Sequence, residues 1–510
     1  MSAILLRGAR LVGGADAPTD LLLAEGRVRA VGVSRHDLFE LGRGPAGAIE
    51  TVDLDGRWVH PGLWDQHVHL TQWALTGGRL DVSAAASAAE AAAIVREHVA
   101  TEAPAPGEVL VGTGFRDGLW PDAPSAEGLD VGDVPVCLIS HDVHSIWSNR
   151  AATLLLGLGE DGWMLREQAA FDLNVRLGAL PDAALDRAVL AAARRAAARG
   201  VVGVVDLELE GAPAAWARRF AAGFRGLRVR AGVYPAGLEA AVAAGIRSGV
   251  AVEGTDGLLE GGPFKLFTDG ALGTRTAWCD EPYPGPLGAP TRGHLAHEPA
   301  ELLAAAREAL GHGLVPTIHA IGDAAVALAL DAFAALGPAP TGARWRMEHA
   351  QLVRDADLPR FAELGVTAGV QPRHAIDDRD LADEFWADRT GRMYPFRALL
   401  DAGAELALGS DAPVAPLDPW AAIAAAVTRT ADGRPSWHPE QQITTAEALA
   451  ASTDGLAGLR EGGPADLVVL DVDPLAIRVD DPPAAAVALA AVPVHATMVA
   501  GRWTHGPYGG

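Results

Sequence analysis

Cysteine is nearly absent from this chain. Among its 510 residues there are two, Cys137 and Cys279, far apart and outside any Cys-x-x-Cys pair. That excludes a disulfide framework and a cysteine-built metal knuckle, and two ordinary buried thiols are expected. Positive charge is short too: 41 Lys and Arg against 65 Asp and Glu leave a formal net charge of -24. Such a chain repels phosphate backbones and anionic lipid surfaces, so neither nucleic acid nor a membrane is an expected partner. No apolar run reaches the roughly 18 uninterrupted residues of a membrane helix. The opening stretch, residues 1–10, has too short an apolar run for a secretory signal. A soluble, cytoplasmic protein with a small-molecule partner is expected. A Gly-x-x-x-x-Gly-Lys phosphate loop is also missing, which removes support for a nucleotide-dependent enzyme.

Lysine is the scarcest residue of interest. Lys265 is the only one, and all its cationic relatives are arginine. It lies in an apolar, strand-like run directly before Thr268-Asp269-Gly270. Arginine cannot take over where a neutral amine is needed, because a guanidinium stays protonated.

Apolar residues are plentiful, at 49%, enough for a sizeable core. Residues 1–58 read as short strands at Ile4–Val12, Leu21–Ala24 and Val28–Val31, separated by Gly and Asp turns. Residues 460–510 return to that texture at Ala465–Leu470 and Val494–Arg502, so the two ends are expected to join in one small β-sandwich module. Residues 59–459 alternate strand-like and Ala-rich helical stretches. Strands are expected at Gly62–Gln66, Val201–Asp206, Val229–Tyr234, Phe264–Thr268, Leu314–His319, Arg344–His349, Val366–Gln371 and Leu406–Ser410. Helices are expected at Asp182–Arg199, Pro299–Gly311, Ala324–Leu336, Leu358–Leu364 and Phe396–Ala402. This alternation suits an α/β (β/α)8 TIM-like barrel better than a small open sheet. Residues about 75–185 are too many for one crossover. With a helix at Ala84–Ala100, strand runs at Val109–Gly112 and Val136–Ser140 and several Trp, they read as an inserted subdomain over the barrel mouth.

The chemistry begins at His67-Val68-His69. Two histidines at i and i+2 of a strand share one face, and at the C-terminal end of a barrel strand that face opens on the active site. Neutral imidazoles ligate zinc and similar ions. Lys265 follows: burial lowers a lysine's pKa, and a neutral amine can capture carbon dioxide as a carbamate able to bridge two ions. The competing reading pairs Lys265 with Asp269 or leaves it solvated at the rim. His319 and His349 each close a later strand run, and Asp411 closes the last one. A strand-end carboxylate near a metal can take a proton from bound water, although alone it would equally serve as a helix cap. Glu348 and Asp323 are expected to orient neighbouring ligands or cap helices. His60, His98, His294, His297, His312 and His438 have no partner pattern and are expected on the surface or in packing.

In this order the pieces resemble the amidohydrolase superfamily, and within it the YtcJ-like group, the amidohydrolase 3 family. The resemblance rests on residues 265–275 (KLFTDGALGTR), 319–325 (HAIGDAA), 348–353 (EHAQLV), 371–375 (QPRHA) and 409–414 (GSDAPV). In the insertion, Asp142-Val143-His144-Ser145 and Ser148-Asn149 stand where the group usually has Asp-Gly-His-Ser and Asn-Ser, the valine being a departure. The resemblance implies a first metal on His67, His69 and Asp411. A carboxylated Lys265 would bridge to a second on His319 and His349, the ions being divalent, with zinc expected, and one or two in number. It implies attack of hydroxide on a carbonyl carbon, with Asp411 carrying the proton to the leaving nitrogen, and a non-peptide amide or N-substituted formamide as substrate. Asp269, His374, His144 and Trp120 fall in the matching segments and are the expected substrate contacts; for His144 and Trp120, packing is an equal alternative. Folds of this kind commonly form homodimers, although no interface is legible. A mononuclear deaminase of the same superfamily would usually lack the strand-four lysine and carry Glu after the strand-five histidine, where this chain has Ala-Ile-Gly-Asp. A non-catalytic binding or regulatory relative would tend to have lost ligands, and all six positions are filled.

Overall fold

The computed structural model describes residues 3–508 apart from 16, 35, 37–48, 103, 106, 160, 210 and 285–290. Eight parallel strands form its centre: β1 (Leu63–Val68), β2 (Val201–Asp206), β3 (Arg228–Val233), β4 (Leu259–Phe267), β5 (Pro316–Ala320), β6 (Trp345–His349), β7 (Val366–Val370) and β8 (Glu405–Leu408). Each pairs with the next in chain order. Beyond the end of β8 the barrel closes on β1: the Asp411 N–H donates to the His67 carbonyl at 2.7 Å and the His69 N–H to the Ala412 carbonyl at 2.8 Å. Gly409 permits that approach, since a Cβ there would stand 2.6 Å from the His67 nitrogen.

The expected TIM-like barrel is therefore present, with all eight strands. Val201-Val202-Gly203-Val204-Val205 is buried along its whole length, as a parallel strand covered on both faces must be. β4 departs most from expectation, beginning at Leu259 rather than Phe264. Gly261, Gly262 and Pro263 read as a break, yet this stretch pairs with β3 because Gly262 lets the backbones meet: a Cβ there would lie 2.6 Å from Ala231. Helices fill the crossovers. The one at Pro299–Gly311 starts with proline in its first turn and a Glu298/Glu301 capping box.

Strands from both chain ends share one eight-stranded sheet, in which Leu467–Leu470 pairs with Trp58–Pro61 and Val494–Val499. Between β1 and β2 a separate five-stranded sheet is built from Leu80–Asp81, Leu110–Phe115, Val136–Ser140, Ser145–Ser148 and Met164–Arg166. Its helix Ala88–Thr101 begins later than expected because Ser87 caps it, accepting the Glu90 N–H. The inserted sheet is tied to the barrel: Asn174 donates to Gln72 at 2.7 Å, and Arg116 to the Asp377 carbonyl at 3.2 Å. Among the described residues, no helix is long and apolar enough to cross a membrane.

Candidate active site

Parallel strands all end on one side, so a ligand that closes one strand meets ligands that close the others. His67 lies in β1, and His69 follows as the first residue before helix Leu70–Thr76. Lys265 is in β4, His319 in β5 and His349 ends β6. Asp411 comes just after β8, with φ +56. All six line one pocket of about 820 Å3, its open mouth included.

One Asp411 oxygen stands 3.3 Å from His67 Nε2 and 3.2 Å from His69 Nε2. Among the described residues, two groups of three have ligating atoms within 4.8 Å of one another: His67, His69 and Asp411, and His349, His374 and Asp411. His319 belongs to neither; its Nε2 faces the Gly270 carbonyl at 3.1 Å, while its ring lies 4.5 Å from that of His349. Burial, with the Lys265 charge, lowers His67 to about 4, and burial likewise holds His319 and His349 well below the usual histidine range. These rings are neutral, the form that ligates a metal. Burial raises Asp411, but the histidines around it outweigh that and hold it ionised. His69 Nδ1, His349 Nδ1 and His374 Nε2 are buried without a hydrogen-bond partner. Buried imidazoles clustered around one ionised carboxylate, with orphaned ring nitrogens, fit a divalent cation.

Lys265 is 1% exposed, which removes the solvated-rim alternative. Burial lowers its amine to about 8, against the opposing pull of Glu348 and Asp411. Asp269 is not its counter-ion. That carboxylate accepts the backbone N–H groups of Trp278, Ile321 and Gly322 at 2.8–3.1 Å, while burial pushes it up to about 7. It knits the loops behind the pocket and does not line it. Asp269, an expected substrate contact, is thus placed behind the pocket: its oxygens accept three main-chain N–H groups, and Oδ1 stands 3.5 Å from His319 Nε2. Trp120 is corrected as well. Its Nε1 donates to the Ala85 carbonyl at 3.2 Å, and its ring packs on Phe115 and Trp147 inside the insertion. His144 and His374 do reach the pocket wall.

Glu348 is fully buried and orients the centre. It accepts from His67 Nδ1 at 2.8 Å, Thr317 Oγ1 at 2.7 Å and Arg346 Nε at 2.6 Å. That commits His67 Nδ1 as donor and leaves Nε2 for the site. Gly369 makes the room, since a Cβ would meet Glu348 Oε2 at 2.6 Å. Asp323 instead accepts the Asp280 N–H and pairs with Arg392.

Sequence reasoning missed three residues here: His141 and Gln72 on the wall, and Glu167 behind His144. His141 stood directly before the Asp142–Ser145 motif, which was a usable signal; Glu167 has no local pattern. Val143 occupies φ +57, so the loop keeps a left-handed turn although a β-branched residue replaces glycine.

A closed eight-stranded barrel with histidines, a lone lysine and an aspartate at its strand ends defines the class. Comparison agrees: the amidohydrolase family model matches residues 50–505, and the chain belongs to that family. It is 29% identical to protein LONG AFTER FAR-RED 3 of Arabidopsis thaliana, covering 84% of this chain and 80% of that one. It is also 29% identical to the putative amidohydrolase YtcJ of Bacillus subtilis, over 84% and 86%. Identity to the N-substituted formamide deformylase of Arthrobacter pascens is 24%, over 89% and 90%. Among solved structures, an uncharacterized metal-dependent hydrolase of Pyrococcus horikoshii superposes with TM-score 0.75 at 28% identity, covering 93% of this chain and 99% of that one.

Proposed function

We propose that the protein is a zinc-dependent hydrolase cleaving the C–N bond of a non-peptide amide, N-substituted formamides being the first class to test. The observation that carries this reading is the convergence of His67, His69, Lys265, His319, His349 and Asp411 on one pocket. The metal-dependent hydrolase and the formamide deformylase among the relatives support it.

His67, His69 and Asp411 would hold one ion, and His319 and His349 a second. Lys265, with its amine brought down to about 8 by burial, would be the group to carry a carbamate ligand. Carbon dioxide adds to the neutral amine, and one proton leaves. Divalent ions held by these residues would supply a hydroxide at neutral pH and polarise the scissile carbonyl. Asp411, ionised and in contact with His67 and His69, takes the proton of the attacking water and hands it to the leaving nitrogen. Glu348 keeps His67 in the tautomer this requires. A cytoplasmic location and a homodimer belong to the same reading.

Metal per chain, measured by elemental analysis on protein purified without chelators, tests it together with amine release from a panel of N-substituted formamides. About two ions, falling in Lys265→Ala, are expected. About one ion, unchanged by that substitution, would overturn the lysine bridge. No metal after reconstitution and no amine released would overturn the hydrolase.

A further inference from the structure

Asp411 has possible ligand partners on both sides of it around the barrel mouth. On one side β1 brings His67 and His69; on the other β6 brings His349, and the turn after β7 brings His374. In each set, with Asp411 included, the ligating atoms lie within 4.8 Å of one another. Strands β6, β7, β8 and β1 are neighbours in the closed barrel, so the two sets meet at Asp411. The turn that carries His374 is pinned at both ends. The His374 N–H donates to the Gln371 carbonyl at 3.1 Å, the His374 carbonyl accepts the Asp378 N–H at 2.8 Å, and Ala375 and Ile376 between them are buried.

His374 is 7% exposed and lines the pocket. Its Nε2 is buried without a hydrogen-bond partner, and so is Nδ1 of His349. Leaving a buried polar atom unpaired is costly, so such atoms call for a ligand. The two rings are nearly parallel, 16° apart, with centroids 6.3 Å from one another. His349 sits at φ +72 and Ala350 at φ +43, a left-handed stretch that non-glycine residues rarely adopt, and such strain gathers at functional sites. His319 is placed differently. Its Nε2 faces two protein acceptors, the Gly270 carbonyl at 3.1 Å and Asp269 Oδ1 at 3.5 Å. Of the histidines at the ends of β5, β6 and β7, it is the last two that share a ligating group with Asp411.

We propose that His374 is a metal ligand, holding the second ion together with His349 and Asp411. This rests on the zinc-dependent hydrolase reading and adds β7 to the strands that serve its second ion. Imidazole nitrogens and carboxylate oxygens are the ordinary donors to zinc. A carboxylate has two oxygens, so Asp411 can serve both ions at once. His374 then faces the ion rather than the substrate.

Two variants of the full chain separate ligation from packing. His374→Phe keeps an aromatic ring beside His349 but has no donor atom. His374→Cys loses the ring but offers a thiolate, itself a metal donor. Zinc binding is read by calorimetry on chelator-treated protein, and the ion count by elemental analysis after reconstitution. His374→Phe is expected to weaken the second zinc at least about 10²-fold, the upper end of what losing an outer-shell partner costs, and to lower the count. Affinity for the first zinc, and the Tm of the metal-free chain, should not move. His374→Cys loaded with cobalt(II) is expected to show a thiolate-to-cobalt charge-transfer band that the wild type lacks, because Cys137 and Cys279 are buried and line no part of the pocket. Zinc affinities and count unchanged in His374→Phe, no such band in His374→Cys, or a wild type that takes up no second zinc would overturn the inference. Failure of the amide reading looks different: no amide is cleaved, while zinc affinity and the cobalt band still report on His374.

Discussion

The two ends of the barrel both carry charged clefts. At the N-terminal end, where the barrel meets the sheet built from both chain ends, the cavity is the larger, about 1230 Å3 against about 820 Å3. There Arg228 pairs with Asp466 at 2.5 Å, Arg230 with Asp454 at 2.6 Å and with Glu260 at 3.2 Å, and Arg502 with Asp256 at 3.3 Å. Each of these three guanidinia faces a carboxylate, so these charges are spent on one another and the cleft is a seam. At the C-terminal end, buried ring nitrogens of His69, His349 and His374 have no partner, and a buried lysine has its pKa lowered. Unspent ligating capacity, rather than cavity size, separates a reactive site from a joint.

That contrast can be broken from either end. The largest effect is expected from Asp411→Asn, which should lower kcat by about 10²–10⁴-fold, the usual scale for a lost proton-transfer group, in steady-state assays of whichever amide is cleaved. Next is Glu348→Ala, which takes the carboxylate away from the part-buried Arg346 guanidinium and from buried His67 Nδ1. About 3–5 kcal/mol of stability should be lost in denaturant unfolding, with reduced metal content.

A smaller, pH-dependent effect belongs to the His144–Glu167 clasp. His144 rises from its ordinary 6.5 to about 9 on folding, so its contribution is complete below pH 6.5 and is lost as pH climbs through 9. For Glu167, burial is outweighed by His144, Thr276 and Thr274, and the carboxyl falls from 4.5 to about 2. Its contribution is complete above pH 4.5 and lost as pH drops through 2. The Tm gap between wild type and His144→Gln should therefore be widest between pH 4.5 and 6.5 and narrow towards pH 9. The smallest effect is expected at the other end. Arg230→Ala removes half-exposed pairs and should cost about 1 kcal/mol or less while leaving kcat unchanged. A large loss of activity there would erase the contrast.

Most of the barrel was legible because a parallel strand buried on both faces must be continuously apolar, and runs such as Val201–Asp206 can hardly be anything else. Strand β4 was read short because its glycines look like a break until β3 is beside them. The strand-end histidines, Lys265 and Asp411 were legible as residue types at repeated positions. Trp120 and Asp269 misled, since position within a motif does not say which way a side chain turns. Glu167 was invisible: its partners, His144, Thr274 and Thr276, lie 23, 107 and 109 residues away.

By itself the sequence determined the alternation of strand and helix, the donor types at the strand ends and the solitary lysine, because these are properties of local pattern and chemistry. Only the tertiary structure decided which groups remain unpaired and which are consumed. Hydrogen bonds and burial are settled between residues far apart in the chain. Three backbone N–H groups took Asp269 out of the pocket, and one carboxylate from the insertion brought His144 into it.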